Sequence, residues 1–115
     1  MLCEHASFFK HIAQIIASFP VVEKVILFGS QASGEVDEES DIDLLIVVRE
    51  TPSKLKEYFK IRRALESVEM PFDIIILTKE EFVFYKTNWP NSVVFEAAQK
   101  GVLLYERQKG TRSTF

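Results

Sequence analysis

Residues 29–47 read GSQASGEVDEESDIDLLIV, and the order of parts in this stretch decides the fold. Gly29-Ser30 closes an apolar, β-branched run over residues 21–28. A polar, acidic loop follows over 35–40, and Asp41-Ile42-Asp43 leads into a second apolar run over 42–48. Both runs have strand length. The second is apolar almost throughout, the pattern of a central strand covered on both faces. Only a short helical turn over 31–34 and the loop separate them. An antiparallel pairing is therefore expected, with the end of the first strand beside the start of the second.

Working outward, Phe8, Ile12, Ile15, Ile16 and Phe19 recur at the spacing of one helical face, so residues 4–19 are expected to form an amphipathic helix ended by Pro20. Downstream, Thr51-Pro52 is expected to start a helix, with Thr51 as cap and Pro52 in the first position. This helix runs to about residue 68, with Tyr58, Ile61, Leu65 and Val68 inward and Lys54, Lys56, Lys60 and Arg63 outward. Pro71 precedes a third strand over 72–77. Thr78-Lys79-Glu80-Glu81 is a capping box for a further helix, which Trp89-Pro90-Asn91 breaks. Residues 92–100 form a last helix with Gly101 at its C-cap position, and 102–105 a final short strand. The tail, 109–115, is polar and expected to fray.

The second and third strands are joined by a helix, which makes them parallel neighbours with a right-handed crossover. The expected class is α/β: a small mixed β-sheet with flanking helices. At 115 residues the chain has the length of one domain, 1–115. Its apolar fraction of 47% against 27% charged residues is a globular balance and excludes a disordered chain. No apolar run approaches the ~20 residues that span a bilayer, and no signal-peptide pattern opens the chain. A cytoplasmic location and no membrane partner are expected. A net charge of −3 gives no field to draw in nucleic acid. One cysteine, Cys3, excludes an internal disulfide and a multi-cysteine metal site.

The chemistry follows from where the strands place the acids. Asp41 and Asp43 are two apart, so they share a face. Asp73 opens the third strand and lies at the same end as they do, and the antiparallel pairing brings Gly29-Ser30 there too. Three clustered carboxylates repel one another unless a cation sits among them. Hard oxygen ligands select Mg²⁺ or Mn²⁺, particularly when phosphate oxygens complete the shell. Gly29 lets backbone approach a phosphate, and Ser30 offers a hydroxyl at the head of a helical turn whose free N–H groups favour an anion. These are the parts that phosphoryl or nucleotidyl transfer needs.

The Gly-Ser, ten residues, Asp-x-Asp arrangement resembles the signature of the DNA polymerase beta-type nucleotidyltransferase superfamily. FDIIIL, with Asp73, is similar to the segment carrying its third carboxylate. The small size and the ending GVLLYE, residues 101–106, resemble its minimal nucleotidyltransferases (MNT). The resemblance covers about residues 25–106 and implies a polymerase beta-like palm fold over a single nucleotidyltransferase domain. It implies that Gly29 and Ser30 hold the triphosphate of a nucleoside triphosphate, ATP. Asp41, Asp43 and Asp73 would coordinate two Mg²⁺ ions, and Asp73 would assist deprotonation of the acceptor hydroxyl. It also implies a HEPN-domain partner in a toxin–antitoxin pair, a possible hetero-oligomer, in which this chain is the antitoxin and transfers AMP to a tyrosine. One position departs from the pattern. Ser33 stands where many members carry arginine, a gap that Lys24, Arg49 or a partner's residue could fill. The alternative is a nucleotide-binding module that regulates a HEPN partner by contact alone.

Other features read as structure. An EF-hand from Asp37 fails at Ile42 and Val48, and a Walker loop fails at Glu35-Val36. His5 and His11 are surface or packing residues. Phe82, Phe84, Tyr85 and Trp89 read first as core; ten phenylalanines in so short a chain raise the prospect of an exposed aromatic patch for a partner. The basic residues of the 51–68 helix read as a solvated face.

Overall fold

The computed structural model describes residues 2–29, 42–68, 71–89 and 92–107, with side chains from Ser7 onward. The chain order is α1 (Leu2–Ala17), β1 (Val22–Phe28), β2 (Ile42–Val48), α2 (Lys54–Ala64), β3 (Phe72–Thr78), α3 (Lys79–Asn88), α4 (Val93–Lys100) and β4 (Val102–Glu106). The strands form one mixed sheet in the order β3-β2-β1-β4. β1 pairs antiparallel with β2, and β2 pairs parallel with β3, as their connection lengths require. β4 returns antiparallel on the far side of β1, a long-range pairing that no local signal announces. The expected turn over 31–34 and the tail over 109–115 lie outside the described residues.

Helices cover both faces of the sheet. On one face α1 and α2 pack Phe9, Ile12, Ile16, Ile61 and Leu65 onto Val25, Leu27, Leu44 and Ile46. On the other, Phe82 of α3 and Val94 and Ala97 of α4 cover Ile26, Phe28, Leu45 and Val47. This two-sided cover explains why β2 is apolar: each of its residues is buried except Asp43. Ile12, Ile16, Leu44, Ile46 and Ile61 are fully buried, and each such side chain contributes about 1.5–3 kcal/mol of transfer free energy. The inward faces of α1 and α2 were the periodic ones in the sequence; Tyr58 and Val68 complete the α2 face by packing against the same cluster.

Two helix starts show how local chemistry decides boundaries. α3 has the expected capping box: Thr78 Oγ1 accepts from the Glu81 N–H while the Glu81 carboxylate accepts from the Thr78 N–H. α2 corrects the sequence reading. It begins at Lys54, two residues after Pro52, because Ser53 is the cap, its Oγ accepting from the Lys56 N–H. Thr51 Oγ1 instead accepts from the Ser53 N–H and donates to Glu57. The helix also ends at Ala64, ahead of Val68; Leu65 and Val68 are held in a following turn by Leu65 N–H to Ile61 O and Val68 N–H to Leu65 O. Among the described residues no helix is long and apolar enough to cross a membrane.

Candidate active site

The strand register assembles the site. Phe28, the last residue of β1, is the partner of Asp43, and Asp43 is the partner of Asp73. Side chains alternate along a strand. Asp43 therefore shares a face with Leu45 and Val47, and Asp73 with Ile75 and Leu77, all of which pack toward α3 and α4. The two carboxylates stand side by side on adjacent strands, whose backbones are about 4.8 Å apart. Asp43 is half-buried and Asp73 exposed, so the pair opens to solvent on the Asp73 side. The start of β2 is tied to the start of β3 by Ile42 N–H to Pro71 O, 2.9 Å.

Gly29 follows β1 with φ +81°, a left-handed conformation that L side chains rarely adopt. Its Cα lies directly against the Asp43 side chain. A Cβ there would collide with Asp43 Oδ2 and stand 3.2 Å from Cγ and 3.4 Å from Cβ of the same residue. Glycine is thus required twice, for the turn and for the close approach to a carboxylate. Of the five residues singled out in the sequence, Gly29, Asp43 and Asp73 converge at one end of the sheet; Ser30 and Asp41 lie outside the described residues.

Asp43 and Asp73 offer hard oxygen donors to a divalent cation, which fits Mg²⁺ or Mn²⁺ better than a softer ion. Among the described residues no group of three or more His, Cys, Asp or Glu side chains gathers, so this pair is what they supply. The residues considered as stand-ins for the arginine missing at Ser33 sit elsewhere. Lys24 pairs with Val47, four residues from Phe28 along β1; it contacts Glu106 at 3.6 Å and lies 5.4 Å from the Phe82 ring centre. Arg49 follows the opposite end of β2, its N–H donating to Val21 O.

Arg62 was not read from the sequence as a site neighbour. Its guanidinium donates to Phe72 O, 2.9 Å away, and lies 5.9 Å from the Tyr58 ring centre. It thereby fixes the residue before Asp73. The i, i+4 spacing from Tyr58 was the available signal. Lys54, expected to point outward, is ion-paired to Glu81 at 2.8 Å and joins α2 to α3 across the β3 edge.

A mixed sheet covered on both faces, with paired acids at the shared end of two parallel strands and a glycine turn against one of them, defines an α/β domain of nucleotidyltransferase type. The family described as polymerase beta, nucleotidyltransferase, matches residues 10–110, and the chain belongs to it. It is an enzyme of that class. A Methanocaldococcus jannaschii protein provisionally named a protein adenylyltransferase is 41% identical over 81 residues, covering 70% of this chain and 77% of that one. A solved Sulfolobus solfataricus structure, provisionally described as a nucleotidyltransferase, superposes with a TM-score of 0.61 at 26% identity, covering 90% of this chain and 82% of the other. The same fold occurs, at 14% identity and a TM-score of 0.57, in the structure of a tri-AMPylated HEPN toxin with its MNT antitoxin from Shewanella oneidensis. That match covers 94% of this chain and 78% of the other.

Proposed function

We propose that this chain transfers AMP from ATP to a hydroxyl of a HEPN-domain protein, and so acts as the antitoxin of a toxin–antitoxin pair. The observation that carries the reading is the juxtaposition of Asp43 and Asp73 in register, with Gly29 packed against Asp43. Relatives described as protein adenylyltransferase and MNT antitoxin support the choice of nucleotide and acceptor.

In this reading Asp43 and Asp73, with Asp41, hold Mg²⁺, which neutralises phosphate charge and polarises the α-phosphoryl group when bound. Gly29 lets the turn approach the triphosphate without a side chain intervening, and Ser30 donates to a phosphate oxygen. Asp73, the more exposed carboxylate, receives the proton of the acceptor hydroxyl. The hydroxyl oxygen then bonds to the α-phosphorus as the bond from that phosphorus to the α–β bridging oxygen breaks, and pyrophosphate leaves. The test is transfer of label from α-labelled ATP to a candidate HEPN protein, with Mg²⁺ and with EDTA. Metal-dependent labelling that Asp43→Ala abolishes supports the reading; labelling by a folded Asp43→Ala protein sinks the metal-site assignment.

The positions of Lys24 and Arg49, away from the carboxylates, favour one second reading. Without a cation in place of the arginine, the chain would bind nucleotide and restrain its partner by contact alone. A contact-only antitoxin protects equally well as the Asp41/Asp43 double alanine variant, whereas an adenylylating one does not.

A further inference from the structure

Outside the carboxylate site, a cleft of about 670 Å³ lies between the C-terminal half of α2 and the start of β3. Among the described residues, Phe59, Lys60, Arg62, Arg63 and Phe72 line it, with Glu66 as the carboxylate. Three cations against one anion, among the described residues, is a local reversal in a chain of net charge −3. Among the described residues, no ion pair uses Arg62 or Arg63, and Lys60 has only a 4.0 Å contact to Glu57. Arg62 is not a freely solvated charge, because its bond to Phe72 O and its position over Tyr58 hold it at the cleft wall.

The cleft continues into an apolar stripe. Leu55, Phe59, Arg62 and Arg63 fall at i, i+4, i+7 and i+8, one face of α2, and Glu66 follows in the turn after it. Leu55 and Phe59 are 63% and 60% exposed. This face is distinct from the inward one of Tyr58, Ile61 and Leu65. It also adjoins the carboxylate site, since Phe72 precedes Asp73. The two residues lie on opposite faces of β3, but β3 is an edge strand among the described residues, so a bound chain can pass round its Phe72 end, the Lys54–Glu81 pair lying beyond the other end, from cleft to carboxylates.

We propose that this face of α2 is the docking surface for the protein that is modified, and that it takes an acidic segment carrying an aliphatic or aromatic anchor. Charge complementarity selects the carboxylates, for Lys60, Arg62 and Arg63; the exposed Leu55 and Phe59 select the anchor. The apolar stripe and the chain's negative charge favour a protein segment over nucleic acid, whose phosphates would meet an overall repulsive field. The docking role rests on the adenylyl-transfer reading above; the binding chemistry does not.

The test measures fluorescence anisotropy on the full chain with three labelled probes. They are a peptide of glutamate, leucine and phenylalanine, the same peptide with glutamine for glutamate, and an oligouridylate of equal length. The acidic peptide should bind, and the glutamine peptide should bind at least about tenfold more weakly, as should the acidic one to Lys60→Glu/Arg63→Glu. Should that variant fail to melt cooperatively, Lys60→Gln/Arg63→Gln replaces it. Asp43→Asn should leave peptide binding unchanged. Equal binding of the two peptides, binding indifferent to the charge changes, or no binding of the acidic peptide would overturn the proposal. So would tighter oligouridylate binding lost in the variant, which makes the cleft a nucleic-acid site. The two readings fail separately: transfer with an unchanged KM in the charge-reversed variant overturns the docking surface alone, while charge-dependent peptide binding without any transfer overturns the enzyme reading alone.

Discussion

Replacing Gly29 by alanine should damage the site far more than the fold. At φ +81° a side chain costs about 1–2 kcal/mol of backbone strain. The new methyl also meets Asp43 Oδ2, with Cγ only 3.2 Å away, so the carboxylate must swing off its rotamer at a cost of roughly 0.5–1.5 kcal/mol. Together these amount to about 1.5–3.5 kcal/mol, and for a domain of this size each kcal/mol lowers Tm by roughly 3–6 °C. A fall of about 5–20 °C follows, with the native sheet retained. Activity should suffer more, since displacing a catalytic group by about 1 Å can cost on the order of a hundredfold in rate. The assay is thermal melting by circular dichroism, followed by transfer from α-labelled ATP below the lowered Tm. A Gly29→Ala protein with the wild-type Tm and an undiminished transfer rate would refute the reasoning, because Asp43 would then not be held by the turn that the structure puts against it.

Further outcomes follow from the rest of the molecule. Ile61→Ala empties a fully buried position between α2 and the sheet and should cost about 2–5 kcal/mol, read as a lower urea midpoint at unchanged m-value. Gly101→Ala should destabilise by about 1–3 kcal/mol, by overpacking and without φ strain, since Gly101 has φ −73° but a Cβ would collide with the Ala97 backbone oxygen and stand 2.6 Å from Ile26 Cγ2; its thermal melt checks this. The Lys54 ammonium, then the Thr78 N–H, holds the Glu81 carboxyl below its ordinary value of 4.5. A carboxyl depressed by folding stabilises at pH above its unfolded value, and the gain is lost as pH falls through the folded one. Glu81→Gln should therefore lower Tm at neutral pH and leave it nearly unchanged in strong acid; both partners are partly exposed, so the effect is small.

What could be read in advance was whatever depends on neighbours in sequence. The Thr78–Glu81 capping box, the 3.6-residue stripe of α1 and the unbroken apolar run of β2 each express one local rule. The antiparallel and parallel pairings of β2 follow from loop length. Together they put Gly29, Asp43 and Asp73 at one end of the sheet. The α2 start was misjudged because Thr51 and Ser53 are equally good caps by chemistry, and only the fold decides which hydroxyl reaches a helix N–H. Gly101 is the C-cap of α4 as expected, its N–H donating to Ala97 O, but its backbone is extended, so close packing against Ala97 O and Ile26 rather than a left-handed turn excludes a side chain there. The aromatic segment divides: Phe82 is buried and Tyr85 packs beside it, while Phe84 and Trp89 are 52% and 54% exposed. Helix periodicity alone could not separate them, because which face of α3 meets the sheet depends on α4.

The proposed chemistry requires Asp43 and Asp73 to hold a divalent cation together. Its most direct test is a Mn²⁺ titration followed by electron paramagnetic resonance, with a non-hydrolysable ATP analogue present, on wild type, Asp43→Asn and Asp73→Asn. Each folded variant should bind Mn²⁺ at least about tenfold more weakly than wild type. Wild-type affinity in both variants would contradict it.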